Sequence, residues 1–298
     1  MAQAFKTAVF GLGSMGYGMA ASCLRAGHQV WGFDIDPAAV ERFRCDGGED
    51  GDQPADLNAV VVVVLNAAQT ESVLFGEDGI VAKLNPGTVV MSCATVSPDF
   101  AREMEARCAQ HEVLYLDAPI SGGAVKSAKG ALTIMASGSP AAFSAARPVL
   151  DACADTVFEL GSEAGPGSAM KTVNQLLAGV HIATMAEALT FGMTQGIAPD
   201  QFVNVISKCA GTSWMLENRA PHIVDGDYSP KSQINIWPKD LGIVLDAAAS
   251  AGFDAPIAKA ALDQYRAAVE MGLGAQDDAA VAKVYARKAG LNLPNTQD

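Results

Sequence analysis

Phe10-Gly11-Leu12-Gly13-Ser14-Met15-Gly16 closes a short apolar stretch and opens a helical one. A Gly-x-Gly-x-x-Gly run at such a junction lets the backbone turn tightly, approach a pyrophosphate and pack a helix against a strand. An anion held there meets the positive end of the helix and its unpaired N–H groups. In a chain with 29 glycines the pattern alone says little. Its context says more. Residues 7–10 read as a strand, 14–26 as a helix, and 29–33 as a second strand ending at Asp34. Asp34 follows Gly16 by 18 residues, near the spacing at which an acid accepts hydrogen bonds from a ribose 2′-hydroxyl. It would repel a 2′-phosphate, and Ile35-Asp36-Pro37-Ala38 holds no base to bind one. The expected dinucleotide is therefore NAD rather than NADP.

A chain of 298 residues suffices for two domains, and its hydrophobic half fills large cores. The longest apolar run, 59–65, suits a strand buried on both faces and is too short to cross a bilayer. Residues 1–11 show neither a basic start with an apolar stretch nor a small-residue cleavage site, so secretion is not expected. The six cysteines are scattered and read as reduced cytoplasmic thiols; no metal site is expected. A net charge of −13 argues against nucleic acid or an anionic membrane as a partner. An acidic substrate must then be held locally, by a few cations and backbone N–H groups.

From residue 7 to about 160, apolar runs at 7–10, 29–33, 59–65, 88–92, 113–117, 132–136 and 156–160 alternate with helical patterns. Several helical segments open on an N-cap followed by proline, as in Asp36-Pro37, Ser97-Pro98 and Ser139-Pro140. Such alternation predicts an α/β fold with a doubly wound, mostly parallel Rossmann-type sheet. After the glycine-rich stretch 161–167 the patterns are helical only: one long helix over 168–196, then 199–209, 238–251, 255–271 and 276–287. The expected domains are 1–164, binding the dinucleotide, and 165–298, all-helical.

Lys171 stands one turn into the long helix, with Asn174 and Gln175 on the same face at i+3 and i+4. A lysine desolvated beside a positive helix end has its pKa lowered, as proton exchange near neutrality requires. A surface lysine with its stem along apolar neighbours is the alternative. Asp117-Ala118-Pro119-Ile120-Ser121-Gly122-Gly123-Ala124-Val125-Lys126 leaves a strand for a small-residue loop. The N–H groups of Ser121, Gly122 and Gly123 suit a carboxylate nest, or the segment is a plain glycine turn. Trp237-Pro238-Lys239-Asp240-Leu241 pairs a lysine with an acid near a helix start; a surface ion pair is the alternative. No Tyr-x-x-x-Lys, zinc-binding His-Glu-x-x-His or Gly-x-Ser-x-Gly elbow occurs.

The glycine run, Asp117–Gly123, Gly167–Gln175 and Lys239-Asp240-Leu241 together resemble the β-hydroxyacid dehydrogenases, in that family's order and across nearly the whole chain. The resemblance implies that Gly11, Leu12, Gly13, Ser14, Met15 and Gly16 carry the NAD pyrophosphate and Asp34 the ribose. Asn66, Thr95 and Lys239 would serve the nicotinamide side, with Lys239 reaching in from the second domain. Ser121, Gly122 and Gly123 would hold the substrate carboxylate. Lys171 would take the hydroxyl proton, and Asn174 would orient the reacting oxygen. Departures at Gln175, Ala124-Val125-Lys126, 66–69, 178–181 and 214–227 look like the branch that oxidises L-threonate. There Lys126, Gln175 and His181 would supply extra hydrogen bonds to a polyol acid. Other expectations left open are 3-hydroxyisobutyrate, tartronate semialdehyde or glyoxylate as substrate, or a non-catalytic NAD-binding regulator. Ala and Leu in the second half suggest a homodimer or homotetramer.

Overall fold

A computed structural model describes residues 4–294. Two compact units divide the chain, Met1–Lys171 and Thr172–Asp298. The first unit runs β1 (Lys6–Phe10), α1 (Gly16–Arg25), β2 (Gln29–Phe33), α2 (Pro37–Cys45), β3 (Ala59–Val62), α3 (Ala67–Phe75), β4 (Val89–Ser92), α4 (Pro98–Ala109) and β5 (Leu114–Asp117). It continues through β6 (Ile120–Ser121), α5 (Gly123–Ala128), β7 (Leu132–Gly138), α6 (Pro140–Cys153) and β8 (Ala154–Glu159). α7 (Pro166–Thr194) leads into the second unit, which adds α8 (Pro199–Ile206), α9 (Trp214–Asp225), α10 (Ile236–Ser250), α11 (Pro256–Glu270) and α12 (Ala282–Ala289).

The strand order is β2-β1-β3-β4-β5-β7-β6, with β8 beside β7. β2, β1, β3, β4 and β5 are parallel. Alternation along these strands sends side chains into two cores. Val61 packs with Met19, Phe43 and Phe143 of α1, α2 and α6, whereas Val60 and Val62 pack with Leu74 and Met104 of α3 and α4. β1 therefore lies where the strand order reverses, and the crevice past the carboxyl ends of β1 and β3 is the place where such sheets bind ligands.

The sheet is mostly parallel as expected, and its far edge is mixed. β7 runs antiparallel to β5 and β6, and only β8 is parallel to it. Periodicity reports burial, not strand direction, which depends on partners distant in sequence. Three elements went unread. The stretch after Asp117 is the short β6 followed by α5, not an open loop, and Trp214–Asp225 forms α9 despite Pro221 within it. Side-chain caps from Asp36, Ser97 and Ser139 start α2, α4 and α6 as predicted.

In the second unit Ile182, Met185 and Leu189 of α7 bury against Phe202, Ile223, Leu241, Leu262 and Tyr265. Among the described residues α7 alone is long and apolar enough to cross a membrane by length and composition, but half of that stretch is buried. Its apolarity is that of a core helix. Cys23, Cys93, Cys108 and Cys153 are buried and Cys45 and Cys209 exposed, all as free thiols.

Candidate active site

The three fingerprint glycines meet different demands. Gly11 has φ +97°, and a Cβ there would lie 2.2 Å from the Val63 carbonyl oxygen. A Cβ on Gly16 would lie 1.9 Å from the Gly11 carbonyl oxygen. Those two are required by the protein's own packing. Gly13 is not: its φ is not positive, and a Cβ would meet nothing within 4 Å. The space over Gly13 is open to a group that must reach backbone distance. α1 begins with Met15 as N-cap, without a side-chain cap and without an acid in its first turn. The Tyr17 N–H already donates to the Gly13 carbonyl oxygen at 3.1 Å, so the N–H groups left for an anion are those that precede it in the turn.

Asp34 ends β2 beside this turn. Its carboxylate accepts from the Leu12 N–H at 2.6 Å and the Asp36 N–H at 2.9 Å. Each oxygen keeps a lone pair for a further donor. Ile35, 95% exposed, and Leu65, 64% exposed, lie beside Asp34 and after β3. Such apolar surface suits a flat ring. The apolar run 59–65 reads as a strand buried on both faces, but β3 ends at Val62 and Leu65 lies exposed beyond it, since a pattern does not show where burial stops. An open cradle, an uncapped helix start and an acid at ribose distance in sequence fit a dinucleotide.

Asn66 follows β3 as the N-cap of α3, its Oδ1 accepting from the Gln69 N–H at 2.9 Å. Its amide N–H₂ remains for other use. Thr95 is half-buried, just past the carboxyl end of β4. Both residues stand at the same edge of the parallel sheet as Gly11.

At the end of β5 the Asp117 carboxylate is buried. It accepts from the N–H groups of Gly165 (3.0 Å) and Ser168 (2.8 Å) and from the hydroxyls of Ser168 (2.7 Å) and Ser137 (3.2 Å). Asp117 thereby caps α7 from another element. A Cβ on Gly167 would fall 2.5 Å from the Met135 carbonyl oxygen, so α7 docks closely here. One turn on, Lys171 is 8% exposed and its Nζ donates to the Ile120 carbonyl oxygen at 2.9 Å. That burial removes the surface-lysine alternative. Ile120 adjoins Ser121, which pairs with Thr133. Gly122 and Gly123 then take φ of 135° and 74°, and no side chain caps α5. Lys126 is exposed on α5, its stem against Gly122.

In the second unit the Asn174 Nδ2 donates to Gln175 Oε1 at 2.9 Å, and Gln175 Nε2 donates to Asp240 Oδ2 at 2.5 Å. Lys239 Nζ lies 2.7 Å from Asp240 Oδ1. Asp240 is 2% exposed, so this is no surface pair. His181 is half-buried on α7. Among the described residues no group of three or more His, Cys, Asp and Glu is gathered to hold a metal ion.

Residues 6–161 match the family model of the NAD binding domain of 6-phosphogluconate dehydrogenase. Residues 165–285 match that described as NAD-binding of NADP-dependent 3-hydroxyisobutyrate dehydrogenase. An L-threonate dehydrogenase of Pectobacterium atrosepticum is 47% identical over 99% of this chain and 97% of its own. The chain belongs to the β-hydroxyacid dehydrogenase family. Another family member, an L-threonate dehydrogenase of Cupriavidus necator, is 47% identical over 96% of this chain and 97% of its own. The solved structure of a Salmonella typhimurium 3-hydroxyisobutyrate dehydrogenase superposes with a TM-score of 0.89 at 45% identity, covering 94% of this chain and 99% of that one. As a β-hydroxyacid dehydrogenase the protein is an NAD-dependent oxidoreductase acting on a small hydroxy acid. The part played by Asp117, Ser137 and Gly167 was missed in the sequence. The only signal was that the second and third motifs each contain small or acidic residues with no assigned chemistry.

Proposed function

We propose that this enzyme oxidises L-threonate at C2, giving 2-dehydro-L-erythronate, with NAD⁺ as acceptor. The reading rests on one observation above others: the buried Lys171 amine bonded to the carbonyl that leads into Ser121-Gly122-Gly123. Support for the substrate comes from relatives named L-threonate dehydrogenase at 44–47% identity along nearly the whole chain.

NAD⁺ when bound supplies the acceptor for the hydride leaving the hydroxyl carbon. In this reading Gly11, Leu12, Gly13, Ser14, Met15 and Gly16 hold its pyrophosphate and Asp34 its ribose, while Asn66, Thr95 and Lys239 serve its nicotinamide end. Ser121, Gly122 and Gly123 hold the acid's carboxylate. A neutral Lys171 amine keeps N–H donors for the Ile120 carbonyl while its lone pair takes the hydroxyl proton, so the residue is held in both protonation states. Asn174 orients the reacting oxygen, and Lys126 reaches the distal hydroxyls. The enzyme works in the cytoplasm as a homo-oligomer, with the exposed Val173, Leu177 and Phe191 of α7 facing a second copy.

Steady-state rates across C3 and C4 hydroxy acids, each with NAD⁺ and NADP⁺, test this directly. L-Threonate with NAD⁺ should give the highest kcat/KM; 3-hydroxyisobutyrate or glycerate outrunning it would overturn the substrate, and a preference for NADP⁺ the role of Asp34. Lys171→Ala should lose about 10²–10⁴-fold in kcat while still binding NADH. That outcome also separates an enzyme from a non-catalytic NAD-binding regulator.

A further inference from the structure

We propose that Gln175 is a positioning residue that sets which way round the Asn174 amide lies, with the Asp240 carboxylate as its reference. This rests on the reading of Asn174 as the group that orients the reacting oxygen. An ionised carboxylate only accepts hydrogen bonds. Asp240 is buried with Lys239 Nζ at 2.7 Å, and the end of Gln175 that faces it is the N–H₂. Gln175 Oε1 therefore faces the other way and accepts from Asn174 Nδ2. Turning either amide over would set a carbonyl against an acceptor or an N–H₂ against an N–H₂. The charge on Asp240 thus dictates the sense of two amides in series. Asn174 is left with one N–H and its Oδ1, a donor and an acceptor side by side. That pair suits a substrate hydroxyl.

The reference point is rigid. Trp237, one turn before Asp240 on α10, is pressed on Gly179, one turn beyond Gln175 on α7, where a Cβ would come within 2.9 Å of the indole. The indole stacks on Tyr265 at 5.5 Å, and the Tyr265 hydroxyl donates to the Gly179 carbonyl at 2.8 Å. The indole Nε1 donates to buried Asp278, which also accepts from Arg219 Nε. Side chains at i and i+1 on a helix do not normally meet. Gln175 has the length to reach both Asn174 and Asp240; both ends of its amide are engaged within the protein, so it acts on substrate through Asn174.

Three variants test the relay. Gln175→Met removes both links and should lower kcat about 10- to 100-fold, with KM for NAD⁺ within about two-fold of the parent. Gln175→Glu alone sets two carboxylates together and should be at least as poor. Adding Asp240→Asn exchanges carboxylate and amide: the amide now at position 240 donates to the carboxylate now at position 175, which again accepts from Asn174. This double variant should recover kcat to within about five-fold of the parent. A Gln175→Met enzyme with parental kcat overturns the proposal, as does a double variant no better than Gln175→Glu. Rates are read on the acid the parent oxidises fastest, so an error in substrate identity leaves the ratios intact. Should the parent oxidise none, urea unfolding of Asn174→Ala, Gln175→Met and their combination decides. Coupling of about five-fold or more in the folding constant supports the relay, and strict additivity overturns it.

Discussion

Four donors converge on Asp117, three of them at the start of α7. Burial pushes this carboxyl above its usual range, and the hydrogen bonds, those of Ser168 foremost, pull it only part of the way back. Its folded pKa being raised, the contribution to stability is complete below the ordinary carboxylate pKa and falls as pH rises through the folded value. Asp117→Asn should keep most of the stability near neutrality. The Oδ2 position retains three donors, and the new N–H₂ donates to the Ser168 hydroxyl, which accepts as readily as it gives. The pH slope due to this group should vanish. Asp117→Ala instead orphans the buried Gly165 and Ser168 N–H groups and should cost about 3–5 kcal/mol in urea unfolding. It should also slow turnover, since Lys171 stands one turn along the helix whose start would be loosened. In the sequence Asp117 looked only like the acid that opens a motif. Its partners lie 48 and 51 residues away, beyond the reach of any local pattern.

Helix starts divide into two kinds. α2, α3, α4 and α6 are closed by their own Asp, Asn or Ser, and α1 is not. This contrast gives the fingerprint glycines separable phenotypes. Gly16→Ala forces a Cβ onto the Gly11 carbonyl and should destabilise the first unit by several kcal/mol, about the range of overpacking. Gly13→Ala should leave the melting temperature within about 2 °C of the parent and weaken NADH binding about ten-fold or more, measured by fluorescence titration. Caps and prolines made the longer helices legible because they act within a few residues. β6 and α5 were not legible, since elements of two and six residues are too short to show a period. α9 was hidden by Pro221, whose missing N–H is tolerated because the helix is anchored by buried Leu216, Ala220 and Ile223.

Across the second unit, the buried acids Asp277 and Asp278 tie Lys231 and, on α10, Trp237 to the segment before α12. Burial pushes Asp277 up, but hydrogen bonds from His222 and from the Lys231 and Ala279 N–H groups together outweigh it and hold the carboxyl below its usual range. With the folded pKa lowered, its contribution is present above the ordinary Asp value and lost as pH falls through the folded one. Asp277→Asn should therefore melt lower than the parent at neutral pH, with the gap closing below about pH 4. Thermal unfolding across pH reads it. Association belongs to the same scale. If α7 meets a second copy through Val173, Leu177 and Phe191, Leu177→Glu should shift the sedimentation coefficient toward that of the monomer.

Local chemistry was enough to place the glycine turn, the acid at the end of the second strand, the lysine helix and the family, because each is a short run whose residues act on their immediate neighbours. What α7 leans on, which strands run backwards, and why Gln175 faces Asp240 arose only on folding. Each of those depends on groups from distant parts of the chain excluding water from one another, and a buried carboxylate takes on its meaning from the donors that surround it.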